Sequence, residues 1–181
     1  KMDEVVKRLE KMVEEQTAIV EELKQNENLD MTAMASRERR QEESFKVLEQ
    51  TMDEAAATME KLSQEASQKL SDLAESELTE TTSADLNEAR NEMQNQNQSS
   101  ASQSAGEASS GLEDMLDIAQ DIQSDFQEDT VDEMLRKFLG LIRNLLFISQ
   151  SQEELVAETQ GLRSRSPRLL DAAVQQDQIL R

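Results

Sequence analysis

The chain has 181 residues, a net charge of −20 at neutral pH, one proline, four glycines and 2% aromatic residues, with no histidine, cysteine, tryptophan or tyrosine. Zinc, haem and thiol chemistry and Ser-His triads therefore lack their side chains, and nucleic acid and anionic lipid are poor partners for most of so acidic a surface. Strands need β-branched and aromatic residues in alternation, and no convincing run of that kind is present, whereas the helix formers Ala, Glu, Gln, Leu, Met and Lys dominate.

The first helix is predicted over residues 2–24. Val5/Val6, Leu9, Met12/Val13, Gln16, Ile19/Val20 and Leu23 recur in steps of three and four, which places one seam along a helix. The polar run Gln25-Asn26-Glu27-Asn28 ends it, and Asp30 is suited to cap the next helix. A second, longest helix is predicted over 30–77. Its stripe reads Met34, Glu38, Gln41, Phe45, Leu48, Met52, Ala55, Met59, Leu62 and Ala66, and the step on to Leu70 makes two successive fours, a stutter. Unbroken, this helix spans ~72 Å at 1.5 Å per residue, which implies a rod longer than ~60 Å.

The hydroxyl cluster Thr79 to Ser83 is suited to a turn, followed by a helix over 84–96 with Leu86, Ala89 and Met93. Gln94 to Ser100 is the most polar stretch and reads as a solvent loop or a tight turn. The tight turn is favoured, because three-four spacing resumes at once in a helix over 100–127 with Ala101, Ala105, Ala108, Leu112, Met115, Ala119 and Ile122. Its small residues would admit a neighbouring helix closely. From Leu70 to Leu135 there are seventeen acidic residues and one basic, Arg90, which reads as a solvated face that keeps helices soluble.

The most apolar stretch lies in a helix predicted over 131–160, where Phe138 to Ile148 carries eight large apolar side chains in eleven positions. Fully buried, they would contribute roughly 12–24 kcal/mol before ordering entropy. Thr130 stands three residues before Glu133 and reads as a capping box. A helix apolar around most of its circumference must be covered, so this is taken as the central helix. Phe138, Leu141, Ile142, Leu145, Ile148 and Gln152 are its core candidates, with Leu9, Gln16 and Phe45 in the covering helices. An interfacial membrane helix using Met134 to Ile148, with Arg136, Lys137 and Arg143 beside the apolar surface, is the competing reading. Gly161 should end this helix, Ser164 to Pro167 form a turn, and a further helix start near 168.

Setting Val5 against Leu141 exposes an echo at an offset of 136: Leu9 falls on Leu145, Gln16 on Gln152, Val20 on Val156 and Glu22 on Glu158. The shared glutamine inside both stripes suggests a duplication in which each Gln fixes register between helices. A glutamine reaching water at the seam's edge is the plainer alternative.

Leu145-Leu146-Phe147-Ile148-Ser149-Gln150-Ser151-Gln152-Glu153-Glu154-Leu155, with Ala89, Met93, Ala101, Ala108 and Leu112 before it, resembles the helical region of a large uncharacterised bacterial family, domain of unknown function 4175. The likeness covers about residues 83–159, and more weakly the first helix. It implies a membrane-tethered parent protein, hence the bacterial cell envelope, and no particular activity.

Sites for chemistry are not legible. Carboxylate pairs such as Glu113/Asp117 and Asp121/Asp125 lie one turn apart, but Ca²⁺ needs about six to eight oxygens converging from a loop. Arg37, Arg39 and Arg40, and Arg163, Arg165 and Arg168, read as partners for the chain's own acids. The expectation is an all-α, elongated antiparallel bundle or coiled coil of about five helices, a single domain and a fragment of a longer protein. Its role is structural or protein-interacting, not enzymatic, with no cofactor, metal or nucleic acid. The membrane is met only through segments outside these residues, and the protein partner is unspecified. A coiled-coil homo-oligomer and a membrane-active module are the alternatives.

Overall fold

A computed structural model describes residues 1–25, 29–159 and 174. Among these residues the structure is helical with no strand: α1 (Met2–Gln25), α2 (Met31–Met59), α3 (Gln64–Ala74), α4 (Glu77–Gln94) and α5 (Gln98–Thr159). The helix expected from 168, the turn at Ser164 to Pro167, the stop at Gly161 and the arginines 163, 165 and 168 lie outside the described residues, as does most of the turn before Asp30. The chain divides into two compact units, Lys1–Thr130 and Val131–Arg181.

The first unit is a helical bundle whose directions follow from its side-chain pairs. Lys1 meets Glu54, Gln41 meets the Met12 carbonyl, Gln16 meets Glu38 and Arg37 meets Glu22, so α1 and α2 are antiparallel. Gln98 donates to the Leu23 carbonyl, Gln16 to that of Ala105 and Gln123 to Asp3, so α5 is antiparallel to α1. Lys69 pairs with Asp125 and Thr79 lies against Met115, so α3 and α4 both run against α5. They are successive halves of one broken arm. The bundle thus has four arms, α1, α2, α3 with α4, and α5 up to Thr130, where the sequence suggested about five helices.

The single helix expected over 30–77 is not formed. It starts as expected, with Asp30 Oδ1 accepting from the N–H groups of Thr32 and Ala33. It stops at Met59, beside the stutter. Ser63 then caps α3 by accepting from Ala66 N at 3.1 Å, and its hydroxyl donates to Asp129. The physical reason is burial. Folding back on α2, where Ser67 donates to the Ala56 carbonyl, covers Ala66, Leu70 and Leu73, while Leu62 is left exposed in the turn. The break in the third arm falls at Glu75–Ser76, where Ser76 accepts from Thr79 N and Glu77 and Glu80 occupy the first turn. The expected turn at Thr79 to Ser83 is therefore helical, with Thr79 and Thr82 buried and donating to the carbonyls of Leu73 and Leu78.

The tight turn expected after α4 is present at residues 95–97. Gln96 takes the left-handed conformation at φ 61°, and Asn97 Oδ1 accepts from Ser100 N. The expected stop before residue 131 is absent. Thr130 donates its hydroxyl to the Phe126 carbonyl inside α5 and caps nothing. Gln127-Glu128-Asp129 contains neither Gly nor Pro, so no residue there compels a break.

Small residues line the bundle-side face of α5. Ala101, Ala105, Ala108 and Ala119 are fully buried, and a Cβ built on Gly111 would lie 2.2 Å from Thr82 Oγ1 and 3.2 Å from its Cβ. Thr82 is β-branched and already bonded, so it has little freedom to yield. Gly106 meets nothing within 4 Å. Gly111→Ala should therefore destabilise the bundle by about 1–3 kcal/mol through overpacking, while Gly106→Ala should stabilise it by up to about 1 kcal/mol through helix propensity. Urea unfolding followed by circular dichroism reads both, and equal signs for the two would remove the close α4–α5 approach.

Candidate interaction sites

Two features of the chain go beyond ordinary helix packing. The first is a polar layer within the bundle core. On α1 the apolar seam is interrupted at Gln16, and on α2 at Glu38, Gln41 and Glu42. Gln16 Nε2 donates to Glu38 Oε1 at 2.9 Å and to the Ala105 carbonyl at 3.4 Å, and Gln41 Nε2 donates to the Met12 carbonyl at 2.9 Å. Gln16 and Glu38 are wholly buried. At the margin, Arg90 of α4 pairs with Glu42 at 2.9 Å. One apolar cluster, containing Leu9, Phe45, Leu48, Met52 and Leu112, lies to one side in sequence on every arm. A second, containing Ile19, Leu23, Met34, Met93 and Ala101, lies to the other.

Burial holds the Glu38 carboxyl up at about 7, against an ordinary 4.5. The Gln16 hydrogen bond and the Arg37 charge oppose this, and the Glu42 charge adds to it. Gln16 Oε1 and Glu38 Oε2 are buried acceptors without a hydrogen-bond partner among the described residues. A proton on Glu38 removes the buried charge and makes one of its oxygens a donor. The layer was partly visible in the sequence, since Gln16, Glu38 and Gln41 occupy stripe positions. Its pairing was not, because nothing local says which polar slots on two helices meet.

The basic cluster on α2 is engaged within the bundle: Arg37 with Glu22 at 2.7 Å, Arg39 with Glu43 at 3.1 Å, and Arg40 with the Ser36 carbonyl at 3.3 Å. Among the described residues no group of three or more acidic side chains converges as a metal site.

The second feature is the helix after Thr130. Phe138, Leu141, Ile142 and Leu145, expected at the centre of the core, are 59%, 61%, 38% and 65% exposed. Ile148 and Gln152 are half-buried, whereas Leu9, Gln16 and Phe45 are buried as expected. Within the first unit, the seams of α1, α2, α3, α4 and the first part of α5 bury one another, and the core lies there rather than around residues 138–145. Seven further large apolar residues of this segment are also exposed: Val131, Met134, Leu135, Leu139, Leu146, Phe147 and Val156. The echoed positions match only in part: Val5 and Leu9 are wholly buried while Leu141 and Leu145 are exposed, Gln16 is buried and Gln152 half-buried, and Ile19 and Leu155 are both buried.

This segment differs chemically from the bundle. The net charge of −20 falls wholly on residues 1–130, because acids and bases cancel over 131–181. No acid stands between Glu133 and Glu153, where Arg136, Lys137 and Arg143 are the charges. Val131, Leu135, Phe138, Ile142 and Leu145 follow in alternating steps of four and three, continuing as Ser149, Gln152 and Val156. Met134, Leu141 and Ile148 flank that line on one side, Leu139 and Leu146 on the other. No helix of the described residues is long and apolar enough to cross a membrane.

Comparison with family models, curated proteins and solved structures gives no match for this chain.

Two measurements test this placement. Between pH 4.5 and about 7 the folded chain keeps the Glu38 proton that the unfolded chain loses, so bundle stability should be highest at the acid side of this window. It should fall by about 3 kcal/mol as pH rises through it, at 1.36 kcal/mol per pKa unit. Glu38→Gln should flatten that part of the pH profile, and an unchanged slope would place the proton elsewhere. Separately, Leu9→Ala should cost the bundle about 2–5 kcal/mol, whereas Leu145→Ala should move bundle unfolding by no more than about 0.5 kcal/mol. A large cost at Leu145 would show that it is covered by the bundle after all.

Proposed function

We propose that this chain is a structural, protein-interaction region, in which an acidic four-arm bundle carries an apolar helix whose partner is another protein surface. The observation that supports it most is the eleven exposed large apolar side chains between Val131 and Val156. Burying one such side chain fully removes about 60–120 Å² of apolar surface, taking about 1.5–3 kcal/mol at about 25 cal/mol per Å². At the observed exposures the segment presents roughly 400–800 Å², at or above the ~300–600 Å² of the largest patch on ordinary monomers. The regular four-three spacing favours a helical partner packed as in a coiled coil. The role is non-catalytic on this reading: Glu38, whose carboxyl burial raises to about 7, is sealed inside the core with no surface on which to meet a substrate.

A lipid surface is the rival occupant. The segment offers it three cations, but the bundle joined to its start carries the whole of the −20 charge, which anionic headgroups repel. A photo-crosslinking residue at position 138, with one at the exposed bundle position Val47 as control, tests the choice in the cells that make the protein. Adducts to protein from position 138 and not from 47 are expected. Adducts to lipid alone would overturn the reading.

A further inference from the structure

We infer that the surface covering this helix is the same helix on further copies of the chain, so that the protein self-associates through the seam Val131, Leu135, Phe138, Ile142 and Leu145. The inference rests on the interaction reading above and names its partner.

Three observations carry it. The seam itself is uncharged over these five positions, and Arg136, Lys137 and Arg143 lie off it, so its complement must be an uncharged apolar helix face. Among the described residues the bundle offers no such face. Its exposed large apolar side chains are the scattered Val47, Leu62 and Ile118. Among the described residues, the segment's own copy is the one surface of the right kind and spacing. The seam's five side chains present roughly 160–320 Å² of apolar surface, and roughly 300–600 Å² with the flanking Met134, Leu139, Leu141 and Leu146, which is the larger part of the ~800 Å² per partner of a standard stable interface. Finally, the charge is distributed as self-association requires. The seam positions are uncharged and the cations Arg136, Lys137 and Arg143 lie off them, so two copies meet along the seam with far less repulsion than any contact between two bundles would carry.

The last point gives the inference a signature of its own. The bundles of associating chains repel one another, so salt, by screening them, strengthens self-association. An anionic peptide or vesicle held by Arg136, Lys137 and Arg143 would be released by salt instead.

Sedimentation equilibrium of the full chain at tens of micromolar, at low and at high salt, tests this. The expected result is a mass above one chain that increases with salt. Ile142→Asp should raise the dissociation constant at least about thirtyfold, the size of an interface hot spot. Phe147→Asp, a charge on the opposite side of the helix, should leave it within about threefold, as surface changes outside a hot spot do. Circular dichroism with unchanged bundle melting certifies both variants as folded. A monomer at both salts overturns the inference, whether residues 160–181, lipid or another protein then covers the seam. Association that Ile142→Asp leaves intact, or that Phe147→Asp abolishes equally, overturns it too. If the chain is monomeric and position 138 crosslinks to a different protein, the interaction reading stands and only the identity of the partner falls.

Discussion

The Gln16–Glu38 hydrogen bond, buried between two apolar clusters, is the constraint on which the bundle's register depends. Apolar helices can slide past one another by a turn at little cost, because one leucine replaces another in the seam. A buried carboxyl cannot slide. Away from Gln16 it would lose its partner in a low-dielectric interior, where an unpaired polar group costs about 1–3 kcal/mol and a charge more. Gln16 also donates to the Ala105 carbonyl and Gln41 to that of Met12, so the same layer ties α1 to α2 and to α5. Burying the layer has a cost in stability, visible in the carboxyl that burial holds at about 7. The gain is a single alignment for three arms.

Once that alignment is set, the rest of the bundle follows from closeness. α5 approaches the third arm where its side chains are smallest, at Gly111 against Thr82, and supplies alanines to both apolar clusters. The third arm reaches α5 because the chain reverses after Met59 and again changes helix at Ser76. Each new start is capped by a serine hydroxyl accepting a backbone N–H, which satisfies a donor that a helix end otherwise leaves unpaired. Aromatic residues are few. Phe45 is the one phenylalanine fully inside, and the other three, Phe126, Phe138 and Phe147, fall late in α5.

The chain therefore separates two tasks. Residues 1–130 hold a core closed on itself and all the net negative charge. Residues 131–147 carry ten of the exposed large apolar side chains, whereas Ile148 is half-buried and Leu155 is buried. On the proposed reading, the acidic bundle restricts which partners can approach that helix.

The helical class, the seams of α1 and α2, the Asp30 cap, the tight turn before α5 and the burial of Leu9, Gln16 and Phe45 were all legible in the sequence. They depend on spacing and local capping, which act within one or two turns of helix. The break after Met59 left only a trace, a stutter and a serine, because a helix ends there through what folding back buries. The exposure of Phe138, Leu141, Ile142 and Leu145 was beyond the sequence for a related reason. Hydrophobicity states that a side chain favours cover, and only the tertiary structure decides whether the chain's own helices have any cover left to give. Within Lys1–Thr130 each seam is already closed against another.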